Sequence, residues 1–191
     1  MKNIRNSVAC AATLLLLGCG GNGAAADANT KDSKSGLSRN PEIGLCKKEE
    51  KVIFNCTIKS SRKIVSVCSS LDLDKPDSYM MYRFGKPEKV ELEFPDSKIN
   101  SFEKFYYSVY IRPKVTRQAL RFNNRDYEYI IEVDNEAEEE PGTYGATISI
   151  DGPKKFGLTC DTAGLVGIDV NIGNKVRCDP DGMWAEFSCP H

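Results

Sequence analysis

The sequence predicts an all-β protein, an antiparallel meander of hairpins forming a β-sandwich or barrel and braced by disulfides. Three observations predict it. Apolar and polar residues alternate with period two through most of the chain after residue 50. Turn-forming clusters of Gly, Pro, Asn, Asp and Ser punctuate those runs. Six cysteines, an even number, fall in the same region.

In VIFNCTIK (52–59), Val52, Phe54, Cys56 and Ile58 share one face, and Asn55, Thr57 and Lys59 the other. VELEFP turns Val90, Leu92 and Phe94 inward and Glu91 and Glu93 outward. YEYIIEV groups Tyr127, Tyr129, Ile131 and Val133, and ATISI groups Ala146, Ile148 and Ile150. Turns are expected at SSRK (60–63), GKPE (85–88), NNRD (123–126) and DGPKK (151–155). These give four hairpins, at about 51–69, 79–94, 118–134 and 144–160, with a further strand in FEKFYYSVYI (102–111). Lone hairpins are marginal in water, so they must share a core. The half-polar alternation is that of antiparallel sheets with one wet face. The tail, with LVGIDVNI and MWAEF, is expected to add a strand pair or a short helix.

Before this domain lies an address. Lys2 and Arg5 precede a small and apolar run, Val8 to Leu17. That run is too short to cross a bilayer, which takes about 20 apolar residues, but it suits the h-region of a signal peptide. Gly18, Gly20, Gly21 and Gly23 argue against a core helix, each costing about 1 kcal/mol relative to Ala. The end of the run, Leu16-Leu17-Gly18-Cys19, resembles the bacterial lipobox. The resemblance implies that residues 1–18 are a lipoprotein signal peptide and that Cys19 becomes the first mature residue. Its sulfur would carry a diacylglycerol and its amino group an acyl chain; no other cofactor is expected. More than one acyl chain gives stable membrane anchoring. Gly20 after the cysteine, rather than Asp, points to the outer membrane of a Gram-negative envelope. Residues 19–41 then form the lipidated cysteine and a flexible tether, Gly, Ala, Asn, Ser, Asp and Lys for the most part. As a coil that tether would reach about 25 Å root-mean-square. Residues 42–191 are left as a single β domain.

Loss of Lys2 and Arg5 with the signal takes the formal charge from −1 to −3. The charges are intermixed and give no basic field for nucleic acid. Cys10 leaves with the signal, so Cys46, Cys56, Cys68, Cys160, Cys178 and Cys189 remain for three disulfides in an oxidising compartment. Cys56 and Cys68, on the two arms of the first hairpin, are the expected first pair. Zinc is disfavoured: there is no Cys-x-x-Cys, and the sole histidine is His191.

Chemistry is sparse. With one histidine, Ser–His and Cys–His nucleophiles lack a base. No Gly-x-Ser-x-Gly, phosphate-binding loop or dinucleotide fingerprint occurs. Glu49, Glu50, Glu91, Glu93, Glu128 and Glu132 are the carboxylates a glycosidase would draw on, but the last four alternate outward like ordinary surface residues. DLDKPD (Asp72, Asp74, Asp77) and DPDG (Asp179, Asp181) bring oxygens together without the register of a calcium loop, and turns explain them. No catalytic residue and no metal site is assigned, and the chain is not read as an enzyme. In YRFG, the aromatic–Arg group Tyr82, Arg83 and Phe84 is the candidate partner surface, since such residues dominate binding hot spots. The competing reading is a sheet-face arginine stacked on Tyr or paired with a cross-strand Glu such as Glu91, with Gly85 starting the turn.

LCKKEEKVIFNC, KIVSVC, YMMYRFGKP and VELEFP together resemble a family of bacterial secreted or lipid-anchored proteins of unknown function. The likeness covers about residues 45–95 and implies an extracytoplasmic β domain; it brings no activity. The expected function is therefore a lipid-anchored binding module facing the periplasm, such as an inhibitor or immunity protein against an envelope-targeting hydrolase. Its partners would be the membrane, through the anchor, and a protein, with no nucleic acid. The alternatives are a structural or assembly lipoprotein of the envelope and a calcium-dependent glycan binder.

Overall fold

The structure is a computed structural model and describes residues 44–138 and 141–189. The expected signal peptide, Cys19, the tether and His191 lie outside the described residues. All four predicted hairpins are present: β1 (Glu50–Ile58) with β2 (Ile64–Ser70), β3 (Met80–Lys86) with β4 (Lys89–Phe94), β6 (Val115–Asn124) with β7 (Tyr127–Glu136), and β8 (Thr143–Asp151) with β9 (Phe156–Val166). The further strand is β5 (Phe105–Arg112). Arg62 and Arg125 take the left-handed conformation in two of the turns.

With a short strand β10 (Arg177–Cys178) they make one ten-stranded sheet, in the order β10-β5-β6-β7-β8-β9-β1-β2-β3-β4, curled into a half-barrel. The long strand β9 links the two halves: Phe156–Thr159 pair with β8, and residues from Cys160 on pair with β1. The tail yields turns and one short strand. Val170–Asn174 is a 3-10 turn, and β10 (Arg177–Cys178) runs parallel to β5, which makes the sheet mixed. α1 (Ala185–Ser188) is a single turn packed on β5. No helix among the described residues is long and apolar enough to cross a membrane.

The concave face holds the core. Register places Tyr107, Leu120, Ile131, Ile148 and Leu158 in one row across β5 to β9, and Phe105, Phe122, Tyr129 and Ile150 in the next. The sheet curls back so that β3 and β4 add to the second row. Phe122 has Phe94 at 4.6 Å, Tyr82 at 4.9 Å and Tyr129 at 4.7 Å between ring centroids. Aromatic pairs of this kind contribute about 0.5–1.5 kcal/mol each beyond their buried area.

Two bulges correct the predicted faces. One between Val52 and Phe54 puts Ile53 in the core and leaves Val52 out of it. The other lies opposite Gly85: Phe84 pairs with Leu92 but Gly85 with Val90, so Val90 is exposed rather than inward. Gly85 has φ +147°, and a Cβ there would lie 2.4 Å from the Lys89 carbonyl, so the bulge requires glycine.

The six cysteines form three bridges: Cys46–Cys68, Cys56–Cys160 and Cys178–Cys189. The expected Cys56–Cys68 pair is not among them. Cys56 faces the core opposite Val65, whereas Cys68 lies opposite Val52, three rungs away. Across the alternation of β2 Cys68 also points to the other side of the sheet from Val65 and Val67.

Candidate functional site

The predicted partner surface is not a surface. Tyr82 and Arg83 are 1% and 2% exposed, and Phe84 is half-buried. Tyr82 belongs to the core and Arg83 to the convex face, as alternation requires. That face of β1–β3 is covered by the segment Gly44–Glu49, so its polar residues are buried with it. Three devices seat the segment. Cys46 is bonded to Cys68, the Leu45 amide donates to Ser66 Oγ at 3.0 Å, and Ser66 donates to Asn55 Oδ1 at 2.8 Å. Gly44, at φ +69°, sits where any Cβ would be 1.8 Å from Asn55 Oδ1.

Beneath the segment, Arg83 donates through Nη1 and Nη2 to the two oxygens of Glu50, at 2.5 and 2.9 Å. Nε donates to Glu93 at 2.7 Å, and Nη1 also to the Leu45 carbonyl at 3.2 Å. The cross-strand partner is thus Glu93, not Glu91, which pairs with Lys63. Glu50 accepts further from the Lys47 amide at 2.8 Å and from Tyr79 Oη at 3.0 Å. Burial alone would raise the Glu50 carboxyl; the bonds from Arg83, Lys47 and Tyr79 outweigh it and hold it below its ordinary 4.5. Burial and the nearby Glu50 charge push the Tyr79 hydroxyl up to about 12. A depressed carboxyl stabilises the fold fully above its unfolded value and loses that contribution as pH falls through the folded one. Unfolding by urea should therefore become easier as pH drops below about 4.5. Glu50→Gln should flatten that part of the stability–pH curve, and an unchanged slope in the variant would assign the acid sensitivity elsewhere.

Other sequence candidates are similarly engaged. Cys46, Glu50 and Cys68 come together, but both sulfurs are in the disulfide and the carboxylate is held by Arg83. Asp72 accepts from the Asp74 amide at 3.0 Å, the geometry of an Asx turn. Asp179 is ion-paired with Arg121. Of the six glutamates, Glu50 and Glu93 share Arg83, Glu91 pairs with Lys63, and Glu128 with Arg121.

A groove on the convex face lies at its other end, over β6 and β7. Alternation turns Ala119 and Arg121 outward on β6, and Glu128, Ile130 and Glu132 outward on β7. Parallel docking of β10 on β5, continued by the Asp179 amide donating to the Tyr107 carbonyl at 3.0 Å, carries the chain after Cys178 over this surface. Arg121 receives it, donating to Asp179 at 2.8 and 2.5 Å and to Glu128 at 3.0 Å, with its guanidinium 4.8 Å above the Tyr106 ring. These bonds hold the Arg121 pKa above its ordinary value. The loop is closed by Cys178–Cys189 and anchored by Trp184, 8% exposed. Phe187 lies edge-on to Tyr110 at 4.8 Å.

The loop leaves a groove of about 470 Å³ between itself and the sheet, lined by Ala119, Ile130, Glu128, Glu132, Asp181 and Met183 around Arg121. At its lip Met183 is 77% exposed, and Phe187 nearby is 64% exposed. Sequence reading singled out neither side chain. The available signal was a short disulfide loop carrying large apolar residues beside DPDG.

Comparison with known proteins returns no match: no family model, no curated protein and no solved structure matches the chain.

Proposed function

We propose that this chain is a lipid-anchored binding module facing the periplasm, held in the outer membrane through Cys19, and that it acts as an inhibitor or immunity protein against an envelope-targeting hydrolase. The observation that carries the reading is the disulfide-pinned loop. Met183 and Phe187 project from a convex face otherwise dominated by paired charges, and their backbone is held by Cys178–Cys189. Large side chains presented on a rigid support cost little entropy on binding, which is what a hot spot requires.

Two outcomes follow. Cys19→Ser should yield an unprocessed precursor or a soluble periplasmic protein; a variant still lipidated and membrane-bound would remove the anchor from this reading. Immobilised residues 42–191, oxidised, should retain one secreted hydrolase in near-equal amount from envelope and culture extracts and suppress its activity. Met183→Ser combined with Phe187→Ser should weaken that retention by about tenfold or more, the loss of two hot-spot contacts. Retention of several envelope proteins without inhibition would favour an assembly lipoprotein. Retention of glycans, abolished by chelation, would favour the calcium-dependent binder.

A further inference from the structure

We propose that Met183 is a modification site, the thioether of this domain that hydroperoxides oxidise, and that the sulfoxide formed there weakens partner binding. The second half rests on the reading of the domain as a binding module; the first does not.

Access to sulfur is the first ground. Met183 is 77% exposed, whereas Met80 and Met81 are 0% and 2% exposed. The six cysteines of the described residues are all in disulfides, and four of them, Cys46, Cys56, Cys68 and Cys160, are buried as well. No thiol among the described residues therefore competes for an oxidant. Susceptibility of sulfur to oxidation follows exposure, which singles out Met183.

The second ground is how the side chain is held out. The Gly182 amide donates to the Asp179 carbonyl at 3.3 Å, and the Asp181 amide to Asp179 Oδ1 at 3.2 Å. Asp179 is fixed in turn by Arg121. Gly182 lies close on the sheet, where a Cβ would stand 2.8 Å from Ser108 Oγ, and Trp184 on the other side is buried. Met183 thus stands between two anchored neighbours, inside the ring closed by Cys178–Cys189. Its exposure belongs to the folded loop, whereas oxidation of Met80 or Met81 would need a local opening of the sheet.

The reaction is a two-electron oxygen transfer. The thioether sulfur attacks one oxygen of hydrogen peroxide, an S–O bond forms as the O–O bond breaks, and the other oxygen leaves as water after proton transfer. Sulfur is oxidised to the sulfoxide and the peroxide is reduced to water. Hydrogen peroxide is uncharged, so Glu128, Glu132 and Asp181 around the groove do not oppose its approach. The product sets a polar, chiral group where an apolar one stood. Arg121, the cation lining the groove, already donates to Asp179 and Glu128. A partner packed on Met183, Ala119 and Ile130 would therefore bury the new oxygen without a free donor, which costs affinity.

The test exposes the full chain, disulfides intact, to hydrogen peroxide and follows the mass of each methionine peptide for one added oxygen. Met183 should oxidise at least about tenfold faster than Met80 and Met81, which react only through local opening. Retention of a secreted hydrolase by the immobilised full chain should weaken about fivefold after treatment, the cost of one buried unpaired oxygen. Methionine sulfoxide reductase should restore it. Met183→Leu, measured against its own untreated form, should lose nothing on treatment. Oxidation of Met80 or Met81 at the rate of Met183 would overturn the site. Selective oxidation of Met183 with retention unchanged, or an equal loss in Met183→Leu, would overturn the effect on binding. If no hydrolase is retained even before treatment, the binding module falls and the effect on binding with it, while the peptide masses still decide the site.

Discussion

Replacing Arg83 with methionine should destabilise the domain by about 3–5 kcal/mol, the usual cost of removing one partner of a buried ion pair. Glu50 is the reason. Its side chain is completely buried, and Arg83 supplies two of its hydrogen bonds. Without the guanidinium, the carboxylate must either stay charged in a dry site or take up a proton. The double variant Glu50→Leu/Arg83→Met should recover most of the loss, since a well-packed apolar pair often matches a buried ion pair. Recovery will be incomplete, because the Lys47 amide and the Leu45 carbonyl also lose their partners. Urea unfolding of the two variants, disulfides intact, decides this. A single variant as stable as the parent would mean that the buried pair contributes nothing.

The second large effect is expected from the Cys56–Cys160 bridge. It spans 104 residues, against 22 for Cys46–Cys68 and 11 for Cys178–Cys189. In the loop-entropy account a closed loop of this size contributes about 4–5 kcal/mol, and a short one less. Cys56→Ala/Cys160→Ala should therefore lower the melting temperature well beyond Cys178→Ala/Cys189→Ala. Both sulfurs of the long bridge are also buried where β9 meets β1, so their loss opens the join between the two halves of the sheet. A larger shift from the short bridge would reverse this ranking.

The hairpins were legible because each is local: two alternating runs and a turn fix them without reference to the remainder of the chain. What alternation cannot report is a bulge, since one inserted residue flips every side chain beyond it. Val52 and Val90 changed faces for that reason. Disulfide pairing was hidden for a related one. Cys160 meets Cys56 only once β9 pairs with β1, a contact between distant segments. YRFG reads in sequence as a partner surface, and Arg83 does point to the convex side. Its burial arises because Gly44–Glu49 folds over that side, a tertiary event with no periodic signature. The same holds for the groove. The outward direction of Arg121 follows from β6, but its pairing with Asp179, 58 residues on, depends on β10 docking parallel to β5.

The Cys46–Cys68 bridge also has a mechanical meaning for the N-terminal anchoring proposed through Cys19. Tension entering at Cys46 passes through the sulfurs straight to Cys68, so residues 47–67, with all of β1 and most of β2, lie outside the line of force. A pull that would otherwise peel β1 from β2 and β9 rung by rung arrives instead inside the sheet, against the β3 ladder. Under the proposed anchoring at Cys19, a pull would enter the sheet at Cys68, and the backbone that carries Glu50 and Asn55 would lie off the covalent line of force.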